Sequence, residues 1–393
     1  MGDGKQHIYI IGSKGIPAKY GGFETFVEKL TEYQVNKNIQ YHVACMTENS
    51  AKSGITDEHF EHNGAKCFNI DVPNIGPAKA IYYDIAALKF AIQFAKNNQH
   101  QQPIFYVLAC RIGPFIKNLK KQINDLEGKL FVNPDGHEWL RRKWSYPVRC
   151  YWKYSERLMV KYADLLICDS KNIEKYILDN YQEYSPKTIY ISYGTELERS
   201  ELSNNSIEVS QWYKEKDILI DNYYLVVGRF VPENNYEIMI REFMKSDERR
   251  DFVLITNIEE NKFYKRLKQK THFDKDPRIK FVGTVYDPEL LKFIRENAFA
   301  YLHGHEVGGT NPSLLEAMAS TKINLLLDVE FNKEVGADSV LYWSKEYGDL
   351  CNLINRLKSN NVNLLTEYPI ERINNFFRWE KINDAYENMF KTV

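Results

Sequence analysis

Residues 7–25 read HIYIIGSKGIPAKYGGFET, and this stretch decides the fold. His7 to Ile11 is a short apolar run of strand type. Gly12 to Glu24 then holds four glycines, at positions 12, 15, 21 and 22, and a helical pattern runs from about Phe23 to Tyr33. Strand, glycine loop and helix in that order open a βαβ unit. Backbone N–H groups of such a loop, beside a helix N-terminus, can receive a phosphate or carboxylate. The spacing is neither GxGxxG nor GxxxxGK(S/T), so neither a dinucleotide fingerprint nor a P-loop is present. A tight turn without a ligand is the plain alternative.

Working outward, strands are expected at 41–46, 67–73, 104–108, 130–132, 165–168 and 188–191, with a long helix at 78–97. Asp169-Ser170 reads as a helix cap. Glu196 to Tyr213 reads as polar and patternless, an interdomain region. The alternation restarts with strands at 223–227, 252–255, 279–282, 298–302 and a last one at 323–327, and a helix is expected from Pro312 to about Ser320. The segment 372–389 reads as one aromatic-rich helix. Alternating strands and helices imply parallel sheets covered by helices. At 393 residues the chain exceeds what one core normally supports. The expected plan is α/β, with an N-terminal Rossmann-like domain over 1–195, the connection over 196–213, a C-terminal Rossmann-like domain over 214–371, and a terminal segment 372–393 packing back toward the first domain.

The formal net charge of −1 argues against a dedicated nucleic-acid binder. The six cysteines form no CxxC pair, so free thiols in a reducing, cytoplasmic setting are expected. Met1 to Gln6 reads as a polar lead without a signal-peptide pattern. No run of 18 apolar residues is present, which leaves peripheral membrane association open.

Three further stretches carry chemistry. VGRFVPENN at 227–235 sets Arg229 just past a strand, where a guanidinium can clamp a diphosphate. YLHGHEVGGTNPSLLEAMA at 301–319 has a glycine loop leading into a helix; Gly308, Gly309 and Thr310 can present amides to a diphosphate, and Glu316 can accept from ribose hydroxyls. FVNPDGHEWLRRKW at 131–144 puts Asp135, Gly136, His137 and Glu138 past another strand, as candidate acid/base or acceptor-binding groups. His303 and His305 invite a metal, but no third ligand lies at useful spacing, so no metal is expected. From Arg141 to Lys161 there are seven basic side chains against one acid, Glu156, interleaved with aromatics. That composition suits an anionic bilayer or a pyrophosphate-bearing lipid; single-stranded nucleic acid or a solvated helix face are its alternatives.

With these motifs in place, the chain resembles family 4 glycosyltransferases of the GT-B fold. More narrowly it resembles the bacterial rhamnosyltransferases that extend a lipid-linked sugar in capsule or cell-wall rhamnan synthesis. The resemblance rests on GSKGIPAKYGGFET at 12–25, NPDGHEW at 133–139, VGRFVPENN, ITN at 255–257, GHEVGGTNPSLLEA at 304–317 and WEKINDAYENMF at 379–390. It implies two Rossmann-like domains facing across an interdomain cleft, with the glycine loop as one jaw and the donor held mainly by the C-terminal domain. Donor-binding roles then fall on Gly15, Gly22, Arg229, Asn234, Asn257, Gly308, Gly309, Thr310 and Glu316. Acceptor-binding roles fall on Glu24, Asp135, His137, Glu138 and Arg141, and catalytic roles on Asp135 and Arg229.

Two departures from the family pattern stand out. Asn234 occupies the position of a common lysine, and Gly308 that of the first of two paired glutamates. The implied reaction is retaining transfer of L-rhamnose from dTDP-L-rhamnose to an undecaprenyl-pyrophosphate-linked glucose or N-acetylglucosamine, with a β-1,4 linkage, without a required cofactor. The implied location is the cytoplasmic face of the membrane. A UDP-hexose-dependent transferase of the same fold, and a non-catalytic sugar-nucleotide-binding protein, are the alternatives. Oligomeric state is left open, a homodimer included.

Overall fold

The computed structural model describes residues 4–19, 21–141, 144–258, 260–358 and 368–392; Tyr20 of the glycine loop and Arg142 and Lys143 of the basic stretch lie outside them. The chain divides into two compact units, residues 1–194 with 379–393, and residues 195–378.

The first unit is built on an eight-stranded sheet of order β3-β4-β2-β1-β5-β6-β7-β8. Its strands are β1 (Gln6–Ile11), β2 (Ile39–Met46), β3 (His59–His62), β4 (Ala65–Ile70), β5 (Ile104–Leu108), β6 (Lys129–Asn133), β7 (Leu165–Cys168) and β8 (Thr188–Tyr190). Between them run α1 (Gly22–Glu32), α2 (Thr47–Ala51), α3 (Lys79–Asn97), α4 (Gly113–Asn124), α5 (Tyr146–Tyr162) and α6 (Lys171–Asn180). All pairings are parallel except β3 with β4. A wholly parallel sheet was expected; β3 escaped notice because its alternation, HFEH, is short and half exposed. The central strands are buried on both faces: Ile8 to Ile11 and Phe105 to Leu108 are sealed from solvent. That burial explains why they read as continuous apolar runs rather than alternating ones. Ser170 caps α6 by accepting from the Asn172 N–H at 3.1 Å.

The second unit has a six-stranded parallel sheet of order β11-β10-β9-β12-β13-β14. Its strands are β9 (Tyr223–Val227), β10 (Asp251–Ile255), β11 (Ile279–Gly283), β12 (Ala300–His303), β13 (Asn324–Leu327) and β14 (Leu341–Trp343). The helices are α7 (Ile207–Lys216), α8 (Tyr236–Lys245), α9 (Lys262–Thr271), α10 (Pro288–Glu296), α11 (Pro312–Ser320), α12 (Glu330–Gly336), α13 (Asp349–Lys358) and α14 (Tyr368–Phe376). One face of the sheet is covered by a cluster around Met239, Phe243, Leu325 and Ile354, the other by one around Trp212, Phe293, Ile294 and Ala317. Prolines at the first helical position and side-chain caps start α10 and α11: Asp287 accepts from Glu289 N–H at 2.9 Å, and Asn311 from Ser313 N–H at 3.0 Å.

Three expectations are corrected. The stretch 196–213 is not patternless, because α7 begins inside it and buries Val209, Trp212 and Tyr213 in the second core. Its aromatic anchors are spaced for a helix, but the polar residues around them hid the stripe. The strand at 323–327 is not the last; β14 adds an edge beyond it. The terminal segment is two helices, α14 and α15 (Trp379–Thr392), broken at Phe377 and Arg378, where Thr195 N–H donates to Phe377 O at 2.7 Å.

α15 completes the first core. Phe26 lies 5.2 Å from the Tyr386 ring, and the Tyr106 and Tyr386 hydroxyls are 3.2 Å apart. The Glu387 carboxylate accepts the N–H groups of Val35 at 2.8 Å and Asn36 at 3.0 Å. All six cysteines are free thiols, and Cys150 alone among them is exposed. No helix of the described residues is long and apolar enough to cross a membrane.

Candidate active site

In each sheet the strand order reverses at one place, between β1 and β5 in the first unit and between β9 and β12 in the second. Ligands of open α/β sheets bind outside the strand C-termini at such switch points. The loops after β1, β9 and β12 leave the sheets there, while Asn257 follows the neighbouring strand β10 and Asp135 to Arg141 follow β6.

In the second unit, β9 delivers Gly228 and Arg229 and its neighbour β12 delivers the loop 304–311. Arg229 is exposed, and among the described residues its guanidinium makes no ion pair. Asn234 is buried; its amide donates to Arg229 O at 2.8 Å. Instead of adding a cation, Asn234 braces the turn that carries one. A Cβ on Gly304 would meet Asn234 O at 2.5 Å, so the two loops touch through backbone. Asn235 spans them, donating to Gly304 O at 2.8 Å and to the Glu306 carboxylate at 3.1 Å. Glu306 also pairs with Lys345.

Gly308 and Gly309 are part-exposed, and a side chain at Gly308 would meet open space. Thr310 is buried just before the Asn311 cap. Asn257 is exposed past β10, the other neighbour of β9. Glu316, on the second turn of α11, forms an ion pair of 2.5 Å with Arg295, whose side chain is 7% exposed against 40% for Glu316. Arg295 also donates to Ser313 Oγ at 3.4 Å. One carboxylate oxygen is therefore engaged by a buried cation from α10, which orients the other.

His303 and His305 stack with ring centroids 4.3 Å apart. Burial pushes the His303 imidazole well below its ordinary pKa, so it is neutral, and neither ring nitrogen has a hydrogen-bond partner among the described residues. A Cβ on Gly228 would lie 3.0 Å from the His305 ring, which sets His305 against the end of β9.

In the first unit, the glycine loop leaves β1 and turns back beside β5. Gly12 has φ +107°, and a Cβ there would strike Leu108 O at 2.4 Å. Gly15, also at φ +107°, lies against β2, where a Cβ would sit 2.5 Å from Cys45 Sγ. Only glycine meets both demands, positive φ and close approach. Gly22 opens α1 toward solvent with nothing within 4 Å of a would-be Cβ. Glu24 is 6% exposed, and its carboxylate accepts the Lys14 N–H at 2.8 Å, so it works inward on the loop.

Two residues missed from the sequence hold this loop. Arg111 Nη1 donates to Gly12 O at 2.9 Å and lies 3.0 Å from Asp84, which is sealed from solvent on α3. Burial raises the Asp84 pKa above the ordinary carboxylate value, with Arg111 opposing it; beside Asp84, the Arg111 pKa is raised. The two residues are 27 positions apart, so no local motif announces them.

Past β6, Asp135 has φ +58° and its carboxylate accepts the Gly136 N–H at 2.8 Å; the Asn133 side chain accepts the Asp135 N–H at 2.8 Å. His137 packs edge-on against Tyr176 at 4.3 Å, and burial holds its imidazole below the ordinary range. Glu138 is engaged by Arg141 at 2.6 Å and by Trp144 Nε1 at 2.8 Å. That pair closes on itself and shapes the turn. Behind it Lys153 sits over the rings of Trp139, Tyr176 and Tyr181, while buried Glu156 accepts from Tyr176 at 2.5 Å and from Tyr181. Part of the basic-aromatic stretch is thus internal packing. Beside the glycine loop, a cavity of about 630 Å³ opens past β2 and β4, lined by Met46, Glu48, Ile70, Pro73, Lys79 and Tyr82.

Comparison with known proteins bears on this arrangement. Residues 211–373 match the family described as glycosyl transferases group 1, and residues 5–196 match a domain of unknown function, DUF1972. An uncharacterized glycosyltransferase of Methanocaldococcus jannaschii is 25% identical over 395 residues, covering 95% of both chains. Among solved structures, sucrose-phosphate synthase of Thermosynechococcus elongatus superposes with a TM-score of 0.76 at 16% identity, covering 99% of each chain. Anabaena HepE in complex with UDP-glucose gives 0.69 at 14% identity, covering 99% of this chain and 100% of that one. The fold and these matches define a glycosyltransferase of the GT-B fold.

Proposed function

We propose that the protein transfers a hexosyl group from a nucleoside diphosphate sugar to a sugar hydroxyl, with retention, and that its second unit holds the donor. The observation that carries this reading is the meeting of exposed Arg229 with the glycine loop of α11 at the β9/β12 switch point. As the anomeric bond breaks, charge grows on the departing diphosphate. Arg229 and the amides of Gly309 and Thr310 would take that charge. Glu316, steadied by Arg295, would hold the ribose hydroxyls, and Asn257 would approach the same phosphates or sugar. The leaving phosphate would accept the acceptor proton, with Asp135 orienting the acceptor hydroxyl. Gly15 and Gly22 would offer backbone to the diphosphate. Glu24, Glu138 and Arg141 would shape the acceptor side from beneath, and His137, neutral by burial, would contact the acceptor directly.

A UDP-hexose is the first donor to test, since HepE is a solved relative in complex with UDP-glucose. dTDP-L-rhamnose is the second, on one specific ground: Gly308 leaves open space where a carboxylate would otherwise meet sugar hydroxyls, as suits a 6-deoxy sugar. The acceptor is proposed to be lipid-linked. α5 exposes Tyr146, Val148 and Tyr154, with Arg157 and Lys161 exposed on the same helix, a composition that suits an anionic interface. The test is transfer and hydrolysis with UDP-glucose, UDP-N-acetylglucosamine, dTDP-rhamnose and GDP-mannose against undecaprenyl-pyrophosphate-linked glucose and N-acetylglucosamine. Failure of every donor to bind or turn over would sink the reading. Tight donor binding without turnover, unchanged on replacing Asp135, would favour a non-catalytic binding protein.

A further inference from the structure

We propose that His7, His42 and His100 form a site for a divalent transition metal of the zinc class, on the first sheet and away from the glycine loop. His7 is the second residue of β1 and Tyr9 follows on the same face, since side chains alternate along a strand. The register pairs Tyr9 with His42 of β2, so His42 joins that face. His100 lies in the turn between α3 and β5, tied by its N–H to Ala95 O at 3.0 Å. One ring nitrogen from each of the three comes within 4.8 Å of the others.

The spacing suits a metal. His7 Nδ1 and His42 Nε2 are 3.0 Å apart. Two nitrogens on one tetrahedral zinc, each bonded at about 2.0–2.1 Å, stand about 3.3 Å apart. A shift of a few tenths of an ångström would turn that contact into an edge of a coordination tetrahedron. The His100 ring is stacked on His7 with centroids 3.4 Å apart, and it would turn out of that stack for its in-plane lone pair to reach the same ion. Tyr9 OH is 2.7 Å from His100 Nδ1. With Nδ1–H donating to the Tyr9 hydroxyl oxygen, Nε2 is the unprotonated nitrogen of His100 that faces a metal. A partner on one imidazole nitrogen that orients the other is the usual arrangement around a ligating histidine.

Imidazole donors select zinc, copper, nickel or iron(II) over magnesium or calcium. His7 and His42 are buried, while His100 is partly exposed and gives an entry path. Phe94 and Phe105 flank the cluster as an apolar shell. The site lies five residues before Gly12 along β1, about 16 Å of extended chain. A metal there would clip β1, β2 and the α3–β5 turn together and take no part in sugar transfer.

Untagged full-length protein, stripped with EDTA and desalted, is titrated with zinc by calorimetry and with cobalt(II) by visible spectroscopy. The expected result is one equivalent per chain, ligand-field bands of a four- or five-coordinate cobalt, and a thermal midpoint that rises with free zinc. His100→Ala, checked for folding by circular dichroism, should weaken zinc binding at least tenfold and abolish the cobalt bands. His59→Ala, on exposed β3 nearby, should leave both unchanged. Absence of stoichiometric binding, or binding that survives His100→Ala, overturns the proposal. Glycosyl transfer is not the readout, so this result stands apart from the donor and acceptor assignments.

Discussion

Replacing Arg111 with methionine tests how the glycine loop is held. The side chain keeps its length but loses its charge and its donors. Asp84, sealed from solvent, then faces no cation; its Oδ1 already lacks a hydrogen-bond partner among the described residues. Breaking a buried pair by removing one partner costs about 3–5 kcal/mol. Loss of the donor to Gly12 O adds about 1 kcal/mol.

The pH dependence has a definite sign. The Asp84 pKa is raised in the folded protein, so above the ordinary carboxylate value of about 3.9 the native state binds more protons than the unfolded one. Stability from this group therefore falls as pH rises through the window between those two values. Without Arg111 that window extends upward, at about 1.4 kcal/mol for each further pKa unit. Arg111→Met should be destabilised by about 4–6 kcal/mol near neutrality, and the deficit should shrink as the pH is lowered and Asp84 protonates. Urea unfolding over a pH series measures this, with hydrogen exchange at β1 and β5 assigning the loss to the first unit. Asp84→Asn combined with Arg111→Met should recover most of the deficit. A deficit independent of pH, or a double variant no more stable than Arg111→Met, would refute the reasoning.

Three other outcomes follow from the geometry. Gly15→Val places a Cβ 2.5 Å from Cys45 Sγ at φ +107°, so overpacking of about 1–3 kcal/mol adds to backbone strain of similar size; urea unfolding should show the loss. Arg229→Ala should leave the thermal midpoint unchanged, because the side chain is exposed and carries no ion pair among the described residues, yet lower kcat about 10²–10³-fold with the best donor. Glu316→Gln should cost only about 1 kcal/mol of stability, since solvent screens its 40%-exposed side chain, while nucleotide-sugar affinity measured by calorimetry drops; unchanged affinity would remove Glu316 from the donor site.

The chain order of strands and helices was legible because each element is written in residues close together. The apolar runs of β1, β5, β9 and β12 announce strands buried on both faces. Ser170 stands where a helix must be capped, and a cap needs only residues two or three positions on. The loops after β1, β6, β9 and β12 were equally visible, since glycines and polar residues past a strand are local signals. Elements with weak local patterns were missed: half-exposed β3, three-residue β14, and α7 with its apolar stripe among charges.

Strand order was beyond that reach, and every pairing that depends on it was decided by the tertiary structure. Which strands flank β1 and β9 fixes where the switch points fall, and so which loops meet. Arg111 reaches Asp84 and Gly12 because β5 lies beside β1. Arg295 reaches Glu316 because α10 packs near α11, and Asn235 holds Gly304 because β12 lies beside β9. His7, His42 and His100 carry no spacing signature, because the β1–β2 register and the turn after α3 assemble them. Residues distant in sequence share no periodicity, so a pairing between them leaves no mark until burial and backbone hydrogen bonding have chosen one arrangement of the sheet.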